Sequence, residues 1–370
     1  MFKNFWYALA FSDEITTKPS RHRILAQDLV MWRNLEGRVR VLSDTCIHRG
    51  GSLSGGWTED DVVVCPYHGW GFDGDGVCTK MPANRGQKPV SRKARVDAYP
   101  VEERHGWVWV FMGDDLSQSP PIPDLSILDD PSFRGVRGEW LWQGNYERVV
   151  ENGTDVAHTP WVHGTIFGNR EHPEVTDFDV DSGEWHASLS TRLTPRREGR
   201  QGRLIKHDKA EDAPKLEVST MFHFPSIVMI HIKVPRLGAQ IIWDTNIPVD
   251  EHTTLTKYVA LRQFAKSRWV DRIAKRQIGR VFEQDDVVVR DLKPELIPEE
   301  LRGELHLKSD VMSLEYRRCR DQATARGWSV LGTAQGGADR KTVIPSPSRR
   351  EPGLERAWVF DETPPSRVDR

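Results

Sequence analysis

Residues 46–70 read CIHRGGSLSGGWTEDDVVVCPYHGW, a stretch in which two short cysteine–histidine pairs each lie beside glycines. One residue separates Cys46 from His48, sixteen residues follow, and two residues then separate Cys65 from His68. Two thiolates and two imidazoles could hold structural zinc, but zinc fingers pair C-x₂₋₄-C with a later H-x₃₋₅-H. The interleaved order favours a [2Fe–2S] cluster with two thiolates on one iron and two imidazoles on the other.

The sequence around this stretch predicts short strands joined by tight turns, from about residue 24 to residue 111. The run LVMWRNLEGRVRVL (29–42) is typical of a β-hairpin, and residues 61–81 repeat the pattern around the turn DGDG. The run GWVWVFMG (106–113) predicts one more strand, with alternating burial. We therefore expect a small all-β unit that carries the cluster.

A Pro-rich segment at residues 117–126 predicts a linker after this unit. Four strands are predicted between residues 216 and 264, followed by helices over about 267–292 and near 310–326. We expect an α+β protein with domains over 5–115 and 116–335, and a polar, partly disordered tail over 336–370.

Composition excludes several classes of function. The 370 residues carry a formal net charge of -2, which argues against a nucleic-acid-binding protein. No apolar run is long enough for a membrane span, and the first residues lack the pattern of a signal peptide, so we expect a cytoplasmic protein. The four cysteines are too few for a disulfide framework, and Cys78 and Cys319 are expected to be small buried residues.

A second group of chemically active residues lies in ENGTDVAHTPWVH, residues 151–163. Asp155 and His158 are three residues apart, so on a helix they would share a face. His158 and His163 are five apart, with Pro160 between them, which predicts a distorted helix in which both imidazoles converge. Two histidines and one carboxylate form the facial triad of non-haem Fe(II) oxygenases, although a buried histidine is more often only hydrogen-bonded.

The carboxylate is predicted from IGRVFEQDDVVVRDL, residues 278–292. Asp285 falls within an apolar stripe, whereas Glu283 and Asp286 point elsewhere. An acid on an apolar face needs a partner, so Asp285 is the predicted third ligand. The stripe consists of Ile278, Val281, Phe282, Val288 and Val289.

The motifs CIHRG…CPYHGW, ENGTDVAHTPWVH and VFEQDDVVV together resemble the catalytic α subunit of Rieske non-haem iron oxygenases, over roughly Trp6 to Arg326. The resemblance implies a Rieske domain in which Cys46 and Cys65 hold one iron and His48 and His68 the other. It also implies a helix-grip (START-like) catalytic domain, an antiparallel sheet around a long helix, with mononuclear Fe(II) on the predicted triad.

The same resemblance implies a homotrimer in which one subunit's cluster serves its neighbour's iron. Asp155 would then be a catalytic bridge between His158 and His68 of the next subunit, and Asn152 matches a position near the iron with a supporting role. The chain has no dinucleotide fingerprint, so electrons are expected from a separate NAD(P)H-dependent reductase, either directly or through a ferredoxin.

The segment VFEQDDVVV most resembles the branch of vanillate, dicamba and caffeine demethylases. Those proteins usually have Glu-Asp-Lys where this chain has Gln284-Asp285-Asp286. The substrates of those families are therefore not assigned to this chain. The resemblance implies a terminal oxygenase that uses O₂ to hydroxylate or demethylate a small molecule in aromatic compound catabolism. Cis-dihydroxylation of an arene and a non-catalytic redox protein remain the alternatives.

The run MFHFPSIVMIHIKV (221–234) is expected to line a mostly apolar substrate cavity. Trp161 and Phe167 would add aromatic surface, which favours a cyclic, largely apolar substrate. Because strand faces alternate, about half of the candidates should be plain core. The candidates are Phe222, Phe224, Ile227, Met229 and His231.

Overall fold

The computed structural model describes residues 1–84, 91–175, 177–195, 215–330 and 342–363. The chain forms two units. The boundary between them falls after Asp124 instead of at 115/116, and the C-terminal segment belongs to the first unit. The first comprises Met1–Asp124, Pro248–Glu251 and Ala323–Arg370. The second comprises Leu125–Ile247 and His252–Gln322.

The first unit is all-β, as the turn-rich sequence predicts. Its strands form three antiparallel sheets with the orders β1-β10-β9, β2-β3-β4 and β5-β6-β7-β8. The strands are β1 (Phe5–Phe11), β2 (Ser20–Ile24), β3 (Gln27–Arg33), β4 (Val39–Ser43), β5 (Trp57–Glu59), β6 (Val62–Val64), β7 (Gly71–Phe72), β8 (Cys78–Lys80), β9 (Val101–Arg104) and β10 (Trp107–Met112). The predicted hairpin of residues 29–42 is confirmed as β3 and β4.

Strand β10 differs from its predicted alternating burial, because all six of its residues are buried. It is the central strand of its sheet, and both of its faces are covered, so its sequence WVWVFM is apolar on both sides. Trp107 and Trp109 are among the largest side chains that are fully buried.

Part of the C-terminal segment that is predicted to be a partly disordered tail is well packed. Within residues 342–363, Ile344 and Ser346 are completely buried, and Thr342–Val343 pairs in parallel with Asp361–Glu362. Arg349 makes an ion pair with buried Asp97 of the same unit. Apolar and ion-pair contacts therefore order this polar segment, while residues 336–341 and 364–370 lie outside the described residues.

The second unit is a seven-stranded antiparallel sheet with helices, as expected for an α+β domain. The strand order is β11-β17-β16-β15-β14-β13-β12. The strands are β11 (Arg134–Trp142), β12 (Phe178–Ser182), β13 (His186–Leu193), β14 (Leu216–His223), β15 (Ile227–Val234), β16 (Gly238–Pro248) and β17 (Thr254–Arg262). The helices are α1 (Tyr146–Thr154), α2 (Thr159–Val162), α3 (Arg268–Val289) and α4 (Val311–Ala325).

One face of this sheet carries the helices that position the candidate site. Helix α3 packs through Ile278 on a core that includes Ile242 and Tyr258. Helix α1 lies over β14 and β15, where a Cβ on Gly153 would be 3.2 Å from Val228. Within the described residues, no helix is both long enough and apolar enough to cross a membrane.

The apolar stripe of α3 is only partly as predicted. Ile278, Asp285 and Val289 are buried, and the Phe282 ring lies 5.2 Å from that of Tyr258. Val288 is instead 42% exposed. The buried face follows steps of four, three and four residues from Ile278, and Val288 falls outside that arc.

Candidate metal centres

The two cysteine–histidine loops of the first unit share one backbone geometry. The carbonyl oxygen of Cys46 accepts the N–H of Gly50 at 2.8 Å, and that of Cys65 accepts the N–H of Gly69 at 3.0 Å. Both glycines have positive φ, 73° and 70°, a conformation that residues with a Cβ rarely adopt. The glycines beside each pair therefore let the loops turn back sharply.

The side chains of these loops converge as the sequence predicts. The His48 and His68 rings lie 4.4 Å apart, and the Trp70 ring stacks parallel to His48 at 4.5 Å. Burial, with the neighbouring Cys65, raises the pKa of the Cys46 thiol to about 12. Two adjacent buried cysteines beside two imidazoles fit a [2Fe–2S] cluster, because bound iron would stabilise the thiolates.

The sequence predicts that Asp155 and His158 share a helix face, but Asp155 lies in the link between α1 and α2. Helix α1 ends at Thr154, and Asp155 has an extended backbone with φ -71° and ψ 128°. Its carboxylate accepts the N–H groups of Ala157 at 2.7 Å and His158 at 3.2 Å, and lies 3.5 Å from Nδ1 of His158. The carboxylate caps the turn that begins α2, where Pro160 stands near the helix start.

His158, His163 and Asp285 come together as the sequence predicts. One ligand atom from each lies within 4.8 Å of the others. Nε2 of His163 lies 3.2 Å from Oδ1 of Asp285 and 3.2 Å from Nε2 of His158. His163 and Asp285 are buried. Helix α3 supplies the carboxylate from the middle of its buried face, across from the α1–α2 link.

The chemistry of these three side chains fits a metal ion. Buried Oδ1 of Asp285 receives no hydrogen bond from the part of the chain that the structure describes. A carboxylate oxygen and imidazole nitrogens that face one another so closely leave a concentration of lone pairs that a cation would satisfy. Burial lowers the pKa of His158, but contact with Asp155 and the charge of Asp285 outweigh it and raise that pKa overall.

Other acids and polar groups near the site have different surroundings. Glu283 is exposed, and Asp286 lies 3.5 Å from Arg290. Asn152 is half-buried near the end of α1, where its carbonyl oxygen accepts the N–H of Asp155 at 3.3 Å. Sequence reasoning missed the role of Gln284, whose Oε1 lies 3.0 Å from Nδ1 of His163.

The predicted cavity residues divide between the two faces of the sheet. Phe222 pairs with Val228, which faces α1, so Phe222 lies on the helix face and Met229 on the opposite one. His231 lines a polar cavity of about 1140 Å³ instead of an apolar pocket. Phe224, by contrast, is buried and lies 5.2 Å from the ring of Tyr316. Ile227 is buried as well, on the same face as Met229.

Of the two predicted aromatic residues, Phe167 places its ring beside that of a predicted metal ligand. The Phe167 ring lies 4.9 Å from that of His163. Trp161 is 56% exposed, and Arg170 lies over its ring at 5.9 Å.

Two family models match this chain. The Rieske [2Fe–2S] domain matches residues 5–100, and the vanillate O-demethylase oxygenase C-terminal domain matches residues 142–326, which is half of the chain. The first match contains both cysteine–histidine loops, and the second contains all three residues of the histidine–aspartate group.

Curated relatives and solved structures are consistent with these matches. The iron-sulfur subunit of the toluene-4-sulfonate monooxygenase system of Comamonas testosteroni is 37% identical to this chain over the matched region. That region covers 45% of this chain, and this chain spans only 48% of the length of that relative. Methylxanthine N1-demethylase of Pseudomonas putida is 27% identical, over 85% of this chain and 87% of its own length. The crystal structure of dicamba monooxygenase superposes with a TM-score of 0.74 over 88% of this chain and 98% of the dicamba monooxygenase chain. At 22% sequence identity, this similarity shows the fold alone.

Proposed function

Because the chain belongs to the Rieske oxygenases that carry the vanillate O-demethylase oxygenase C-terminal domain, we propose that it is the terminal oxygenase of a multicomponent system. The observation that carries this proposal is the convergence of His158, His163 and Asp285 without a proton donor for Oδ1 of Asp285 among the described residues. A protein that only carried electrons would have no use for a second metal site. The chain therefore combines an electron-accepting unit with an oxygen-activating one.

Each set of ligands has a defined task in this proposal. Cys46 and Cys65 would hold one iron of the cluster, and His48 and His68 the other. The mononuclear Fe(II) would be held by His158, His163 and Asp285, with the remaining positions open. The cluster would supply electrons, and the mononuclear iron would activate O₂ for insertion into a C–H bond.

Asp155 is proposed to connect the two centres of neighbouring subunits in a homotrimer. Its carboxylate already orients His158 through two backbone N–H groups and a 3.5 Å approach to Nδ1. His68 and its neighbour Tyr67 are exposed, so His68 is open to a partner surface. Asn152, one turn before the link, would support the position of Asp155.

The substrate proposed is a cyclic, largely apolar molecule that is hydroxylated or oxidatively demethylated. Relatives are named for an aryl sulfonate and for a methylxanthine, both of which are cyclic. Phe167, whose ring lies 4.9 Å from that of His163, supports an apolar surface near the site. Electrons would come from a separate reductase, directly or through a ferredoxin. The free cysteines suit a reducing cytoplasm. A role in aromatic compound catabolism is proposed by analogy with these relatives.

A substrate screen tests the proposed reaction. The purified chain would be combined with a surrogate reductase and ¹⁸O₂, and offered aryl methyl ethers, N-methyl heterocycles and methylarenes. We expect formaldehyde release or a product with a single ¹⁸O atom. A cis-diol with two ¹⁸O atoms would establish dihydroxylation instead. Exclusive turnover of small charged amines would contradict the proposed apolar substrate.

Iron analysis tests the proposed ligands separately from turnover. Asp285→Ala should reduce the iron content from about three atoms per chain to about two, because the cluster retains its own two. Asp286→Ala and Glu283→Ala are matched controls on the same helix and should keep the third iron. Full iron retention in Asp285→Ala would contradict the proposed site.

A further inference from the structure

Gln284 holds the side of His163 that faces away from the proposed metal. Its Oε1 lies 3.0 Å from Nδ1 of His163, and its Nε2 donates to Oγ1 of Thr165 at 2.8 Å. The next residue, Asp285, reaches the opposite nitrogen, with its Oδ1 3.2 Å from Nε2 of His163. Successive residues of a helix point about 100° apart, so α3 holds one imidazole from two directions.

The orientation of the Gln284 amide decides which tautomer His163 adopts. With Oε1 facing the ring, Nδ1 of His163 donates its proton to the amide oxygen. Nε2 then keeps its lone pair directed towards His158 and Asp285. The opposite orientation would place the amide N–H groups against Nδ1 and leave the proton on Nε2, where it would block a metal ion. Thr165 accepts from Nε2 of Gln284 in this orientation and so holds the amide against the His163 ring.

We propose that Gln284, braced by Thr165, is a positioning residue that fixes the tautomer and the ring orientation of His163 for the mononuclear iron. This inference rests on the proposed function. The partner of a metal-bound histidine usually tunes the metal as well as the ring. Gln284 accepts the N–H without adding charge, whereas a carboxylate at the same place would make His163 a stronger donor. Gln284 therefore keeps Asp285 as the single carboxylate in contact with His163.

Two variants separate positioning from charge. Gln284→Leu removes the acceptor, and we expect the Fe(II) affinity to fall by about 10- to 100-fold. Gln284→Glu keeps an acceptor, so iron should be retained, but the added charge should lower the potential of the mononuclear centre. Gln277→Leu, on the exposed face of the same helix, is the matched control and should change neither property.

The measurement uses the full chain with its cluster oxidised and its mononuclear site emptied by a chelator. Fe(II) is titrated in without oxygen, and the site is read by the electron paramagnetic resonance signal of its nitric oxide adduct. An affinity of Gln284→Leu equal to that of Gln277→Leu would overturn the inference. So would a Gln284→Glu variant whose spectrum and potential match the unmodified chain.

Two further variants keep this test independent of folding and of the proposed iron site. Thr165→Val leaves the ligands untouched at an exposed position, and it should weaken Fe(II) binding severalfold. Unchanged binding in that variant would contradict the bracing role even if Gln284→Leu did not fold. Asp285→Ala should abolish binding, and if it did not, the iron site itself would be wrong, whatever the Gln284 variants showed.

Discussion

Replacement of Arg349 by alanine should destabilise the first unit strongly, although Arg349 lies beyond both family matches. Its Nε and Nη2 atoms each lie 2.8 Å from an oxygen of Asp97, and the two side chains are only 6% and 3% exposed. The guanidinium also lies 4.5 Å from the ring centroid of Trp358. The substitution would leave a buried carboxylate without its counter-charge.

The expected loss follows from what remains around Asp97. Breaking a buried ion pair by removing one partner costs about 3–5 kcal/mol. Ser346 still donates its N–H and its hydroxyl to Oδ1 of Asp97, at 3.0 and 2.9 Å, which favours the lower part of that range. For a unit of this size, each kcal/mol of lost stability lowers the midpoint temperature of thermal unfolding by roughly 2–4 °C. A decrease on the order of 10 °C is therefore expected.

Thermal unfolding followed by circular dichroism and by the visible absorbance of the cluster measures this decrease. The matched control is Arg23→Ala, which removes an exposed pair with Asp28 and should cost about 0–1 kcal/mol. Arg349→Lys keeps the charge but loses the two-pronged contact, so it should fall between them. A midpoint in Arg349→Ala no lower than in Arg23→Ala would refute the structural role of the pair.

Three further predictions concern single residues of the second unit. Asp155→Asn should keep both metal centres and lower turnover at least about 10-fold, because the carboxylate that orients His158 is lost; normal turnover would contradict the bridging role. Burial raises the pKa of Asp244 from 3.8 to about 7, so the folded state loses stability as the pH rises from about 4 to 7. At pH 8, Asp244→Asn should therefore be more stable than the unmodified chain by on the order of 2–4 kcal/mol. Burial, with the neighbouring His186, lowers the pKa of His223 from 6.5 to about 4, so the folded state loses stability as the pH falls through that window. In urea unfolding between pH 4 and 8, His223→Gln should therefore show a weaker dependence of stability on pH. An unchanged pH dependence in the Asp244 and His223 variants would contradict the burial of these groups.

Local patterns predicted most of the architecture. The four strands between residues 216 and 264 form β14 to β17, because alternating apolar residues with turn residues between them specify strands directly. Long-range packing was harder to anticipate. The segment 342–363 has the composition of a disordered tail, and its order depends on partners such as Asp97, some 250 positions earlier in the chain.

The candidate site shows the same division between local and tertiary information. Asp285 could be identified because an acid within a buried stripe violates the local pattern, and such a violation marks a place where the acid has a partner. The position of Asp155 could not be identified, because the helix ends one residue earlier and the carboxylate caps the next turn instead.

Gln284 gave no local signal, because an uncharged amide on the flank of a helix is compatible with almost any environment. Its importance appears only when α3 brings it against His163 and Thr165 at the same time. In the proposed site, Asp285 would fix where the metal lies, and Gln284 would determine which nitrogen of His163 faces it. A sequence that changed Gln284 while keeping all three ligands would therefore keep the recognisable motif and lose part of the geometry that makes it work.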